Sequence, residues 1–226
     1  MPVTLFEIRN DVRSHLNEYD EKFWLDAELD RWINEATRDI ARRTETIQSY
    51  NENIRTRPDQ AKYPLPHDVI RVHRVEWDNE SGMVYPLEPS TYGEMDQMWG
   101  SNQTRPSNYP GYFVLWGMPP ALVMQLWPVP SAAGLLHVFY YRMPRKLAED
   151  GDLVEIPEGW HDLIPLYVEY VARRKDKDQT WAEAKQLYEA NLDHMLNMTR
   201  QWHDQAQSVI FGGGHPYGIG VWGDDY

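Results

Sequence analysis

The side chains needed for chemistry are present in this chain, but their spacings argue against most reactions. Gly218-Ile219-Gly220-Val221-Trp222-Gly223 spells the glycine pattern of a dinucleotide-binding turn. That turn works because a strand feeds it and a helix leaves it, which seats phosphate on the helix N-terminus. Only three residues follow Gly223, so no helix can form there and the match is one of letters. Neither a G-x-x-x-x-G-K-[ST] phosphate loop nor a G-x-S-x-G nucleophile elbow occurs. The eight histidines are scattered, with no H-E-x-x-H or other tight metal-ligand spacing. His161 and Asp162 are neighbours on an expected helix, where adjacent side chains do not face each other. A polar pair at a helix start explains them better than a catalytic dyad. Asp150, Asp152 and Glu155 lack the carboxylate count and the closing bidentate Glu of a calcium loop, so a solvated loop accounts for them. Arg173-Arg174-Lys175 with Lys177 is the main basic cluster. It ends an expected helix, where cations suit the dipole, and phosphate contact is the less favoured reading. With no cysteine, thiol nucleophiles, disulfides, thiolate zinc sites and iron–sulfur clusters are excluded. No catalytic residue, metal site or cofactor is expected.

Composition narrows the class further. The net charge is −13, opposite in sign to a protein that grips DNA through its phosphates. An acidic wall would instead let DNA slide past. Ten Trp and fourteen Tyr supply large contact areas, for a core or for interfaces. The N-terminus has no basic segment followed by an apolar run, so no secretory signal is expected. No run of about 18 apolar residues exists, so no membrane span is expected.

The elements that must position these residues fall into a helix–sheet–helix order. Thr4 and Glu7 form a T-x-x-E capping box, followed by Leu5, Ile8, Val12 and Leu16 at helical spacing. A second helix, capped by Asp26, carries Leu29, Trp32, Ile33, Ala36 and Ile40. From Thr46 the pattern turns β-rich. Tyr63 to Val75 reads Y-P-L-P-H-D-V-I-R-V-H-R-V, with a strand starting at Val69 and Val69, Arg71, His73, Val75 and Trp77 expected on one side. Met83–Leu87, Tyr112–Trp116, Leu122–Trp127 and Leu135–Arg142 read as further strands separated by Pro and Gly turns. A short helix is expected within Ser90–Trp99. Helices return at Pro157–Lys175, where Pro165 is tolerated only in a first turn, and after a Thr180/Glu183 capping box. The second of these carries Ala184, Leu187, Tyr188, Leu192, Met195, Leu196 and Trp202. The last 24 residues hold six of the fourteen glycines and no Lys or Arg. They are too apolar for a solvated tail and read as an arm that orders on a partner.

Four patterns then occur in a shared order: W-L-D-A-E-L-D-R-W-I-N-E-A from Trp24, the Tyr63–Val75 stretch running on to Y-P-L-E-P-S-T-Y-G-E-M-D from Tyr85, L-W-P-V-P-S-A-A-G from Leu126, and L-V-E-I-P-E-G-W-H-D-L-I from Leu153. Together they resemble the head-to-tail adaptor, or connector, proteins of podovirus-like tailed bacteriophages, over roughly residues 3 to 202. The resemblance implies no reaction. It implies a structural virion protein at the neck, made in the host cytoplasm, forming a ring of about twelve copies beneath the portal. The ring would join portal protein to tail or nozzle proteins, and genomic DNA would pass through its lumen without sequence-specific binding. No membrane is involved.

The expected fold is therefore α+β. Residues 1–45 and 157–202 form a helical bundle, with an antiparallel β unit, 46–156, inserted between them. An extended Gly/aromatic arm, 203–226, docks on the portal through Ile210, Phe211, Tyr217 and Trp222. A carbohydrate-binding or hydrolytic tail component, using a Trp-lined sheet and paired acids, is the alternative.

Overall fold

The computed structural model describes residues 3–18, 21, 23–100, 107 and 109–211, with the backbone alone at 53, 99 and 202–211. It is an α+β structure with five α-helices and a curled, mixed sheet of seven strands among the described residues. Helices α1 (Leu5–His15) and α2 (Asp26–Thr44) come first. Strands β1 (Gln48–Thr56), β2 (Lys62–Pro64), β3 (Val69–Asp78) and β4 (Val84–Pro89) follow, then α3 (Tyr92–Trp99). Strands β5 (Tyr112–Trp116), β6 (Val123–Trp127) and β7 (Gly134–Arg142) complete the sheet. A 3-10 turn at Glu158–Trp160 leads into α4 (Leu163–Lys175) and α5 (Trp181–Phe211).

The α1 capping box forms as expected. The Thr4 hydroxyl accepts from Glu7 N–H at 3.3 Å, and Glu7 Oε2 accepts from Thr4 N–H at 2.8 Å. A second box, Thr91 with Glu94, starts α3. The start of α2 differs from expectation. Its N-cap is Leu25, with no side-chain cap. Asp26 instead takes the Arg13 guanidinium at 2.5 Å, and Glu21 accepts the Asp26 N–H at 3.0 Å. A buried cation claims the carboxylate that the free helix end would otherwise use. Pro165 lies in the first turn of α4, where its missing N–H costs no helical bond.

The sheet runs β1-β7-β3-β4-β5-β6-β2. It is not wholly antiparallel: β4 and β5 pair in parallel through Glu88–Tyr112 and Pro89–Phe113. The helix α3 lies in the connection between them, and a helical crossover is what a parallel pair requires. The β3 face also departs from simple alternation. Register shifts between Val69 and Arg71 and between Val72 and Arg74 re-phase the strand. Val69, Val75 and Trp77 are buried and Val72 packs beside them, while Arg71 and His73 are exposed. Each irregularity moves the next residue to the other face.

Two cores result. Helices α1, α2, α4 and α5 share the first, which also takes Leu147, Val154 and Ile156 from the segment after β7. The second lies against the sheet, with Trp77, Met124, Leu126 and Leu136 almost wholly buried in it. Trp77 reaches across to donate its Nε1–H to the Thr56 hydroxyl at 3.1 Å. Gly134 leaves room for it: a Cβ there would stand 2.4 Å from the Asp78 carbonyl oxygen and 2.6 Å from Trp77 Nε1. Finally, α5 does not stop at residue 202. Its 31 residues run to Phe211, so 203–211, expected as part of an arm, is helical.

Candidate functional site

The polar side chains that could do chemistry are engaged in holding elements together. Arg9 and Arg13, one turn apart on α1, lie beside its apolar stripe and face α2. Arg9 Nε reaches Asp30 at 2.6 Å, and its Nη2 reaches Asp30 at 3.0 Å and Asp150 at 2.8 Å. Arg13 Nη2 donates to Asp26 at 2.5 Å and to the Trp24 carbonyl at 3.0 Å. Burial alone would ease the Arg9 proton off, but bonds to Asp30 and Asp150 outweigh it and hold the guanidinium more tightly protonated. The matched spacings Arg9/Arg13 and Asp26/Asp30 were a legible signal that an apolar-stripe reading passes over.

The acidic loop resolves in the same way. Asp150 bonds Arg9. Asp152 accepts the Ala148 and Glu149 N–H groups, which holds its carboxyl below the usual range. Glu155 accepts both Nη atoms of Arg142, at 2.8 and 2.7 Å, and the Arg145 N–H. These three acids turn to separate partners rather than to a common cation. Among the described residues, no group of three or more His, Asp or Glu side chains converges as a metal site. The His161 ring bonds the Ile156 carbonyl through Nε2 at 2.8 Å, and its Nδ1 is buried without a partner. Asp162 sits at the start of α4 without capping it, so the pair forms no dyad.

The basic cluster is likewise committed to its own chain. Arg173 donates to Glu169 and to the Thr180 hydroxyl, both at 2.5 Å. The Arg174 guanidinium lies 5.9 Å from the Trp181 ring. Lys175 bonds Glu28 and sits over Trp24 and Trp32, at 5.2 and 5.6 Å. These contacts tie α4 to α2 and α5.

A side-chain amide fastens the segment after β7. Asn34 Nδ2 donates to the Leu147 carbonyl at 2.9 Å, and Asn34 Oδ1 accepts the Leu147 N–H at 2.8 Å. Helix α5 docks through Ala184, Tyr188, Leu192 and Met195, all buried. Tyr188 donates its hydroxyl to Asp39 at 2.9 Å, and Arg43 pairs with Glu189 at 2.6 Å. Burial and the nearby Asp39 carboxylate push the Tyr188 hydroxyl far above its ordinary range, so it remains a donor.

What remains for partners is surface. Clefts of about 250 and 490 Å³ open beside α1 and along α2. The first is lined by His15, Trp24 and Glu169, the second by Arg31, Arg38 and Lys146. The β unit buries Trp77 and Trp127, while Trp116 is 65% exposed and rests edge-on against Tyr92 at the β5–β6 turn. Next to it, Met118 is 81% exposed. Phe6 and Leu153 are each 52% exposed. Of the arm residues, Ile210 and Phe211 fall on the last turn of α5. Tyr217 and Trp222 lie outside the described residues.

The SU10 adaptor protein family matches the chain from residue 3 to residue 211. The chain belongs to that family. SU10 adaptors are a phage adaptor family, so the chain is a structural virion component. The matched span closes on the last residue of α5 and so takes in all five helices and the whole sheet. No curated protein matches the chain. No described helix is long and apolar enough to cross a membrane.

Proposed function

We propose that this chain is a head-to-tail adaptor of a podovirus-like phage. Copies form a ring of about twelve beneath the portal, portal protein lies on one side and tail or nozzle proteins on the other, and genomic DNA passes through the lumen. The observation that carries this reading is the family match over residues 3–211, which spans the helical and sheet cores together. The committed polar networks support it. Side chains locked into Arg9–Asp30, Arg142–Glu155 and Asn34–Leu147 contacts give a rigid block with little left for turnover. The chain is a helical bundle with a sheet inserted in it, and its net charge of −13 keeps DNA from adhering as it moves.

In the same reading, the last turn of α5 and the Gly/aromatic segment after it dock on the portal. Ile210, Phe211, Tyr217 and Trp222 are the anchors, since large apolar side chains carry most interface energy. Electron microscopy of the purified protein, alone and mixed with its portal, tests the proposal. A ring assembled on the portal is expected. Full-length protein that leaves portal rings bare at micromolar concentration overturns it. Deleting 212–226 should remove portal binding while thermal melting stays unchanged, and undiminished binding would overturn the arm assignment.

A further inference from the structure

Helix α2 carries a band of positive charge on the side turned away from the core. Its buried stripe runs through Leu29, Trp32, Ile33, Ala36 and Ile40. Opposite that stripe stand Arg31, Glu35, Arg38 and Arg42, spaced four, three and four residues apart and all exposed. Lys146 joins them from the segment that Asn34 fastens to the helix. Two clefts follow the band. One, of about 490 Å³, is lined by Arg31, Arg38 and Lys146, and the other, of about 250 Å³, shares Arg38 and runs on to Arg42.

Little within the chain neutralises this band. Arg38 and Lys146 have no hydrogen-bond or ion-pair partner among the described residues. The nearby carboxylates are spent elsewhere. Asp30 holds Arg9, and Asp39 is shared among Tyr188, Arg43 and Arg42. Glu35 reaches Arg31 at 3.9 Å.

The opposite charge lies on another flank. Glu7 and Asp11, one turn apart, are exposed on α1, whose own arginines, Arg9 and Arg13, are buried. Asp11 has no partner among the described residues. At the end of α1 this acidic face meets the cleft lined by Asp176 and Asp178. Arg173, the one arginine or lysine lining that cleft, is held by Glu169. Helix α4 packs on α2 through the Lys175–Glu28 pair, whereas the band's Lys146 comes in beside Asn34. Glu28 and Asn34 stand about 120° apart around the helix, so the basic band and the acidic cleft open on different flanks of α2.

Copies that each carry a net charge of −13 repel one another unless patches of opposite sign meet. A ring subunit also needs two different surfaces, one for each neighbour. We infer that the α2 band of one copy docks on the acidic α1 face of the next, bringing Arg38 and the cations beside it onto Glu7 and Asp11. Band on face is a head-to-tail contact. It leaves a band free at one end and a face free at the other, so copies add until the rotation closes. The inference deepens the ring reading and rests on it for closure. Exposed charge pairs contribute modestly one by one, so the contact strengthens when copies are gathered on a portal.

The test reverses one charge on each surface of the full chain. Arg38→Glu alters the band and Asp11→Lys the face, both at exposed positions. Sedimentation velocity at low salt, where charge contacts are strongest, reads assembly alone and with portal rings, and thermal melting checks the fold. Each variant by itself is expected to lose about 30-fold in copy-to-copy affinity, with the melting temperature unchanged. Their equimolar mixture is expected to assemble as wild type does, because alternating copies then meet complementary neighbours at every contact. Wild-type rings matched by either variant alone, or a mixture no better than its components, overturn the inference and leave the ring reading intact. Normal rings of Arg38→Glu that lose retention of duplex DNA overturn it too, by assigning the band to DNA. Wild-type protein that forms no ring in either condition overturns both readings.

Discussion

The helical core and the sheet core are closed by different chemistry. Around the helices, buried or half-buried arginines bridge elements far apart in sequence, Arg9 to Asp150 and Arg43 to Glu189, and Arg142 at the end of β7 ties the sheet to Glu155 in the segment that follows it. In the second half of the β unit, residues 106–141 of the sequence contain no Asp, Glu, Lys or Arg, and the ion pairs of its first half, Arg55–Glu80, Arg71–Glu45 and Arg74–Glu76, use exposed arginines. The sheet core is closed by area, with Trp77, Trp127, Met124 and Leu136 almost wholly buried. An ion pair contributes modestly to stability but demands one geometry. Apolar area contributes more and tolerates small shifts in packing. The helical half thus fixes the relative placement of α1, α2, α4, α5 and the 143–156 segment. The sheet carries the exposed Trp116 and Met118.

Breaking each half should expose that contrast. The largest effect is expected in the sheet. Trp77→Ala empties the centre of the core and strands the Thr56 hydroxyl, at a cost of about 4 kcal/mol, seen as a lower denaturant midpoint. A loss below about 1 kcal/mol would mean that area does not dominate there. A smaller effect is expected in the helical half. Arg9→Ala leaves Asp30 and Asp150 facing each other without a cation. Because both carboxylates keep some exposure, the expected loss is about 2 kcal/mol. Arg9→Met should recover part of it through packing, as measured by the same melts.

The smallest effect is a pH dependence at the junction between β7 and the helical half. The Arg142 guanidinium, with help from the Arg145 N–H and against partial burial, holds the Glu155 carboxyl below its ordinary 4.5. A lowered folded pKa means that this stability is present above the unfolded value and is lost as pH falls through the folded one. Wild-type melting temperature should therefore drop between about pH 5 and about pH 3, and Arg142→Met should flatten that drop. An unchanged slope in the variant would show that the pair is not linked to folding. The uncharged 106–141 stretch offers no carboxylate to titrate over the same range.

Local signals in the sequence fared well wherever one element decides the outcome. The Thr4/Glu7 box, the α2 stripe through Trp32 and Ile40, the first-turn place of Pro165 and the start of β3 all depend on neighbours within a turn or two. The family resemblance was legible for the same reason, as four local patterns in order. Readings that depended on a distant partner fared worse. Asp26 looked like a cap until Arg13 claimed it. Arg71 and His73 looked to share one side with Val69, Val75 and Trp77 until two register shifts against β7 separated them. The sheet looked antiparallel until the α3 crossover set β5 alongside β4.

The sequence by itself therefore determined the alternation of helices and strands, the absence of thiol chemistry and the ordered motifs of an adaptor. Periodicity, caps and composition act over a few residues and need no fold to be read. Only the tertiary structure decided which acid meets which arginine and how the strands are phased. Each of those turns on a competition between groups separated by tens of residues, such as Arg9 and Asp150. Proximity decides that competition, and folding alone creates it.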